Sequence, residues 1–225
     1  MRRCVHCKNS YLIAISVSVF GVSVESMQCS YDSKGNSVPA ILLLMQERLY
    51  SQGRTKGIFC INLENGEEEH LREQFNSGIV PIDIDVHCLA GLIKAWFREL
   101  PSGVLDGLSP EEVLECNTEE EFVELVKLLK PVESALLNWA VDLMADVVVE
   151  EEYNKLNAIN IAMVFAPNMT QMKVLIMKHT PKLQKKMLIM KQMLKLHKMF
   201  EKTSSMKAEN ADHDKTCDYF ESARK

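Results

Sequence analysis

The sequence predicts an all-α domain. Three observations lead there. Apolar residues recur at steps of three and four, helix-start signals recur along the chain, and no alternating run is long enough to call a sheet. With 225 residues, 47% of them hydrophobic and 25% charged, the chain is large enough for one large domain or two small ones with a real core.

Taken in order, the first helical stripe is Ile41, Leu42, Met45 and Leu49, entered through Ser37-Val38-Pro39 with Pro39 where a first turn tolerates proline. A loop from Ser51 to Gly66 follows, holding one short apolar piece, Gly57-Ile58-Phe59-Cys60-Ile61. Glu67 to Phe75 forms a short helix with an acidic start, closed near Gly78. Asp85 caps a longer helix in which Val86, Leu89, Ala90, Ile93, Trp96 and Phe97 point inward, with Pro101 marking its end. Ser109-Pro110-Glu111-Glu112 combines a cap, a first-turn proline and a glutamate three places after the cap, and Thr118 to Glu121 repeats the reciprocal pattern. The next helix carries Phe122, Leu125, Val126 and Leu129 and stops at Pro131. Another runs through Ala135, Leu136, Trp139, Ala140, Leu143 and Val147. A last one is expected from about Asn154 to Phe165, ended at Pro167, giving roughly seven helices.

Charge and cysteine usage narrow the function classes. The net charge of −5 argues against a general nucleic-acid binder. Residues 173–225 carry 13 basic and 6 acidic side chains, so the tail stands at +7 and residues 1–172 at −12. Seven scattered cysteines suit free thiols in a reducing compartment better than a disulfide framework. Arg2, Arg3 and Lys8 precede an apolar run from Tyr11 to Phe20 with the outline of a secretory signal, against which the odd cysteine count weighs. Asn168-Met169-Thr170 is a glycosylation sequon. No run of about eighteen apolar residues spans a bilayer. From Lys173 to Met199 lysine and methionine dominate, with Leu183, Met187, Met190 and Leu194 at helical spacing. Such a basic amphipathic helix either packs its stripe on the preceding domain or lies on an anionic membrane surface. Residues 202–225 read as a disordered tail.

Self-contained catalysis has no visible machinery. Cys4-Val5-His6-Cys7 has metal-ligand spacing but no second pair follows, so neither metal nor cofactor is expected. There is no phosphate-cradling glycine loop, no His-Glu-x-x-His pair and no Gly-x-Ser-x-Gly elbow. The glutamate triplets at 67–69, 119–121 and 150–152 are helix-start charges favoured by the macrodipole.

One helix face calls for a further reading. In Lys94-Ala95-Trp96-Phe97-Arg98-Glu99-Leu100-Pro101, Lys94 and Arg98 are four apart and project together, at a cost of a few tenths of a kcal/mol for adjacent like charges. Either both are solvated near a helix end that favours cations, or each has a partner elsewhere. Val86 to Pro101 resembles the signature helix of Rho-type GTPase-activating (RhoGAP) domains. Phe165-Ala166-Pro167-Asn168 is similar to their later Phe-x-Pro-Asn segment, and Gly57-Ile58-Phe59 to the start of their finger loop. The likeness is nearest to the plant Rop GTPase-activating proteins, over about residues 20–172.

That resemblance implies a RhoGAP-like helical bundle with a divergent basic C-terminal helix, docking on a GTP-loaded Rho/Rop-type small GTPase in signal transduction. It further implies a division into a divergent N-terminal segment (1–19), a RhoGAP-like domain shortened at its end (20–172), the basic helix (173–201) and the tail (202–225). Lys94 resembles the family lysine that contacts the GTPase, Arg98 the arginine that braces the finger loop, and Asn168 the asparagine that bonds across the interface. For Asn168 a local role after Pro167, satisfying backbone groups at a helix end, is the alternative. Where the family pattern reads Gly-Ile-Phe-Arg, this chain reads Gly57-Ile58-Phe59-Cys60, so the arginine finger is replaced by Cys60. A neutral thiol cannot mimic a bidentate guanidinium, and Arg54 and Lys56 are poorly placed as substitutes. The expectation is therefore a GTPase activator with impaired stimulation of hydrolysis, or a non-catalytic decoy or scaffold. A cytoplasmic site is expected, with membrane contact through 173–199 and hence a peripheral place at the plasma membrane as the variant reading.

Overall fold

The computed structural model describes residues 10–12, 18–52, 54–60, 65–77, 79–81, 83–116 and 118–171. The expected basic helix, the tail and the Cys4-to-Cys7 cluster lie outside the described residues. Within them, eight α-helices surround one continuous apolar core that includes Leu42, Leu89, Trp96, Phe97, Trp139 and Phe165. None of these helices is long and apolar enough to cross a membrane.

The helix starts obey the local chemistry of their sequences. α1 (Ala40–Tyr50) begins directly after Pro39, and α2 (Asn65–Asn76) carries Glu67 and Glu68 in its first turn. The Asp85 carboxylate accepts from the backbone N–H groups of His87 and Cys88, opening α3 (Val86–Arg98). Ser109 caps α4 (Pro110–Glu115) through the Glu112 N–H. At α5 (Glu119–Val126) the Thr118 hydroxyl accepts from Glu121 N–H while the Glu121 carboxylate accepts from Thr118 N–H, so two otherwise orphaned donors are satisfied together. α6 (Pro131–Val149) has proline at its first position, and Glu133 accepts from the Lys130 N–H.

Two corrections to the helical reading follow. The helix expected from about Asn154 to Phe165 begins later, as α8 (Ala158–Phe165), because a separate turn, α7 (Glu151–Asn154), ends at Lys155 in a left-handed backbone (φ +64°) and Asn157 caps the helix that follows. Strand pairing is also present, in two short antiparallel pairs. β1 (Ser10–Leu12) joins β4 (Ile79–Pro81), and β2 (Cys29–Tyr31) joins β3 (Ser37–Pro39), with Cys29 opposite Pro39. Three-residue strands are too short for alternation to register, so periodicity could not reveal them.

α3 is the axis on which the site depends. Phe97 stacks on Trp139 of α6 at 6.0 Å and meets Phe165 of α8 edge-on at 6.4 Å, which locks the helix from two sides. On a third side Arg72 of α2 grips Glu99 with two bonds, at 2.7 and 2.8 Å, and holds Glu68 as well. This fork fixes the C-terminal turn of α3 in rotation as well as position.

Candidate functional site

The loop between α1 and α2 turns sharply at Gly57 and Phe59, both left-handed with φ +73°. Glycine adopts that conformation freely, but Phe59 holds it at a cost of order 1 kcal/mol, so its surroundings must over-determine it. They do. The Phe59 ring is buried and meets Phe165 edge-on at 4.9 Å. The Gly57 N–H donates to the Asn154 carbonyl at 3.0 Å, and the Cys60 N–H turns back to the Gly57 and Ile58 carbonyls. The result is a rigid turn that carries the Cys60 side chain outward, exposed to solvent.

Lys94 completes this clamp. Its side chain is only 8% exposed, and its Nζ donates to the Phe59 carbonyl at 2.7 Å. Burial holds its pKa below the ordinary lysine range; the Cys60 and Glu68 side chains pull it up, and the Arg98 guanidinium pushes it further down. The three groups thus share one electrostatic neighbourhood. Arg98, one turn along α3, is exposed and reaches Asn168 Oδ1 at 3.5 Å, the outer limit of a hydrogen bond. Asn168 in turn donates from Nδ2 to the Val164 carbonyl at 2.7 Å, so its amide also serves the local backbone.

Of the four residues singled out in the sequence, all therefore fall on one side of the bundle, around the C-terminal half of α3. Within the chain the two basic side chains have different partners. The bond to the loop comes from Lys94, whereas Arg98 turns to Asn168. The reason is depth, since Lys94 lies where the helix faces the loop and Arg98 lies where it faces solvent.

Three further residues hold this face, and sequence reasoning missed them. Asn154 is fully buried; its Nδ2 donates to Val147 O at 2.6 Å and its Oδ1 accepts from Leu156 N–H at 2.8 Å, fixing the carbonyl that receives Gly57. Asp106 accepts from Gly103 N–H, from the Thr170 hydroxyl and from Gln171 N–H, stitching the segment after Asn168 to the loop after α3. Gly103 lets these strands approach, because a Cβ there would lie 2.6 Å from the Thr170 Cα. An asparagine inside a glutamate-rich stretch reads as a helix start, and nothing local distinguishes Asp106 from a surface turn residue. Arg54 is engaged elsewhere: it pairs with Glu150 at 3.0 Å and lies 4.6 Å over the Tyr153 ring. Among the described residues no group of three His, Cys, Asp or Glu side chains is arranged to hold a metal ion.

Residues 39–174 match the RhoGAP domain family. The chain belongs to that family. Rho GTPase-activating protein 2 of Arabidopsis thaliana is 82% identical over 159 residues, covering 70% of this chain and 37% of that protein. Rho GTPase-activating protein 3 of the same plant is 70% identical over the same length, 70% of this chain and 35% of its own. The Dictyostelium discoideum protein gacA, also a Rho GTPase-activating protein, is 33% identical across 70% of this chain and 47% of its own. The chain thus spans about a third of the length of its plant RhoGAP relatives. Among solved structures, human Rho GTPase activating protein 15 superposes with a TM-score of 0.67 over 81% of this chain and 92% of that one, at 19% identity, a likeness of fold. The positive-φ turn, the Lys94 clamp and the Asn168 corner all lie within the matched RhoGAP residues.

Proposed function

We propose that this RhoGAP chain binds a Rho/Rop-type small GTPase in its GTP-loaded form through the face bearing Lys94, Arg98 and Asn168, and that it stimulates GTP hydrolysis poorly. The observation that carries this reading is the convergence of α3, the Asn168 corner and the rigid turn ending at Cys60 on one side of the bundle. A partner docked there meets one exposed guanidinium, one amide and a loop tip held at fixed geometry. Phosphoryl transfer spreads negative charge over the transferred group's oxygens, and a preorganised cation in a dry site stabilises it without reorganisation. The turn is built to present such a group, and its tip is a thiol.

A second reading, a decoy that holds the active GTPase without discharging it, is favoured by the engagement of Arg54, six residues before Cys60 in the same loop, with Glu150. It requires higher affinity for the GTP state than for the GDP state. In either case the chain would work on the cytoplasmic side, where such GTPases cycle.

The test is affinity against a panel of Rho-type GTPases loaded with a non-hydrolysable GTP analogue or with GDP, for wild type, Arg98→Ala and Asn168→Ala. Binding that prefers the analogue state by tenfold or more, and that weakens in both variants, is expected. Equal affinity for the two nucleotide states, or no binding to any member, overturns the reading.

A further inference from the structure

A cleft of about 820 Å³ opens between α1, α6 and the loop that follows α1, lined by residues that include Leu49, Tyr50, Arg54, Asp146, Val147 and Glu150. It has the volume of a small-ligand site. Cys60, Lys94, Arg98 and Asn168 do not line it, so it stands apart from the candidate GTPase face. Leu49 and Val147 are buried and give it an apolar surface. A chain of hydrogen bonds leads into it from the core. Buried Trp139 donates from Nε1 to Gln46 Oε1 at 3.0 Å, Gln46 donates from Nε2 to the Tyr50 hydroxyl at 2.6 Å, and that hydroxyl donates to Asp146 Oδ2. An indole N–H only donates, so the direction of each bond is set and the Asp146 carboxylate stands at the accepting end. Burial, and then Asp146 itself, push the Tyr50 pKa above the ordinary tyrosine range, so the phenol stays protonated and donating. The acidic neighbours of Asp146 one turn away on α6 meet cations, Asp142 with Lys34 at 3.1 Å and Glu150 with Arg54 at 3.0 Å. Asp146 meets the neutral phenol instead and forms no ion pair among the described residues.

We infer that this cleft binds an organic cation, an alkylammonium or guanidinium head that donates to Asp146 and to the Glu150 oxygen left by Arg54, with its aliphatic stem on Leu49 and Val147. Charge favours that class. The cleft sets two carboxylates against one guanidinium, which leaves one negative charge to be met by a guest. Geometry favours it too. Asp146 and Glu150 are four apart on α6 and so lie on one face, about 6 Å apart along the axis, within reach of one head with diverging N–H groups. Among the described residues no third His, Cys, Asp or Glu joins them, so a metal ion lacks a ligand set there, whereas an ammonium is served by two acceptors. The relay from Trp139 orients Asp146 before any guest arrives, so less ordering cost falls on binding. Bonds from a cationic donor to a carboxylate are also stronger than neutral ones. Such a head occurs on free amines and on the lysine or arginine side chains of other proteins, and the test separates the two.

The experiment uses the full chain with no GTPase present, so its outcome is independent of the GTPase reading. Butylammonium, butylguanidinium and, as a neutral counterpart, butanol are titrated in at pH 7 and followed by heteronuclear NMR. Saturable shifts at Leu49, Tyr50, Asp146 and Val147 are expected with both cations and not with the alcohol. Asp146→Asn keeps an acceptor for Tyr50 but removes the charge, and should raise the dissociation constant about tenfold or more. Tyr50→Phe frees Asp146 from the relay and should raise it about threefold. Both positions are exposed, and melting temperatures close to that of wild type check that the variants fold. The blocked peptide acetyl-Gly-Arg-Gly-amide separates the sources: tighter binding than butylguanidinium assigns the head to a protein side chain, weaker binding to a free amine. Shifts that do not saturate or that fall elsewhere, an equal response to butanol, or an Asp146→Asn variant that binds as wild type does overturns the site.

Discussion

Replacing Cys60 by arginine tests the mechanism at its narrowest point. An arginine finger contributes about 10³–10⁵ in rate, or roughly 4–7 kcal/mol of transition-state stabilisation. Position 60 starts from a backbone held by the Gly57–Asn154 bond, the buried Phe59 ring and the Lys94 clamp, so little of that stabilisation is lost to loop ordering. Against it stand the neighbouring cations Lys94 and Arg98, whose repulsion in a partly solvated site is about 1–2 kcal/mol. The balance, roughly 2–6 kcal/mol, corresponds to about a 30- to 25,000-fold faster single-turnover hydrolysis by the bound GTPase. The fold is unaffected, because Cys60 is exposed and buries nothing on substitution; the melting temperature checks this. The assay is rapid-quench GTP hydrolysis with the activator in excess and saturating. A wild-type rate equal to that of Cys60→Arg, with both proteins bound, would refute the argument and point to Arg54 or Lys56 as the working cation.

Other consequences are accessible to simpler measurements. The buried Lys94 ammonium has a folded pKa below its unfolded value, so the unfolded chain binds more protons between the two and stability rises with pH as Lys94 sheds its charge. Urea unfolding should therefore show wild type gaining on Lys94→Met as pH increases from neutral towards about 10.5, and a flat difference contradicts this. Gly103→Ala forces a Cβ to within 2.6 Å of the Thr170 Cα and should cost about 1–3 kcal/mol in urea unfolding, with no loss indicating that the Asp106 corner yields. Burial pushes the Cys88 thiol up to about 11, helped by Glu67, Glu68 and Asp85, so at pH 8 only about one molecule in a thousand is ionised there. Peptide mapping after iodoacetamide treatment of the folded protein should find Cys60 modified and Cys88 intact, and equal labelling would show that α3 opens readily.

What could be read from the residues alone follows from how local each signal is. Caps at Asp85, Ser109 and Thr118 act over three or four residues, so they are visible in sequence and appear as bonds in the structure. The cluster of Lys94, Arg98, Asn168 and Cys60 was legible through family resemblance; spacing gave only the pairing of 94 with 98. Lys94 itself illustrates the limit. A lysine four residues from an arginine reads as surface charge, and its burial depends on a loop 35 residues earlier folding over it. Asn154 is similar: its role comes from Gly57 and from the left-handed Lys155, neither of which announces it. The short strand pairs and the break between α7 and α8 were missed because three-residue strands have no period and because Lys155 is an unusual residue to end a helix.

The chain of rings from Trp139 through Phe97 and Phe165 to Phe59 has a consequence for how the domain ages. Each ring that shapes the turn is also core, so any change that deforms the turn damages folding and is removed. The outward tip, Cys60, is exposed and free of that double duty. A substitution at residue 60 therefore leaves the ring chain and the turn in place, so the side chain at the tip can vary while the fold beneath it stays the same.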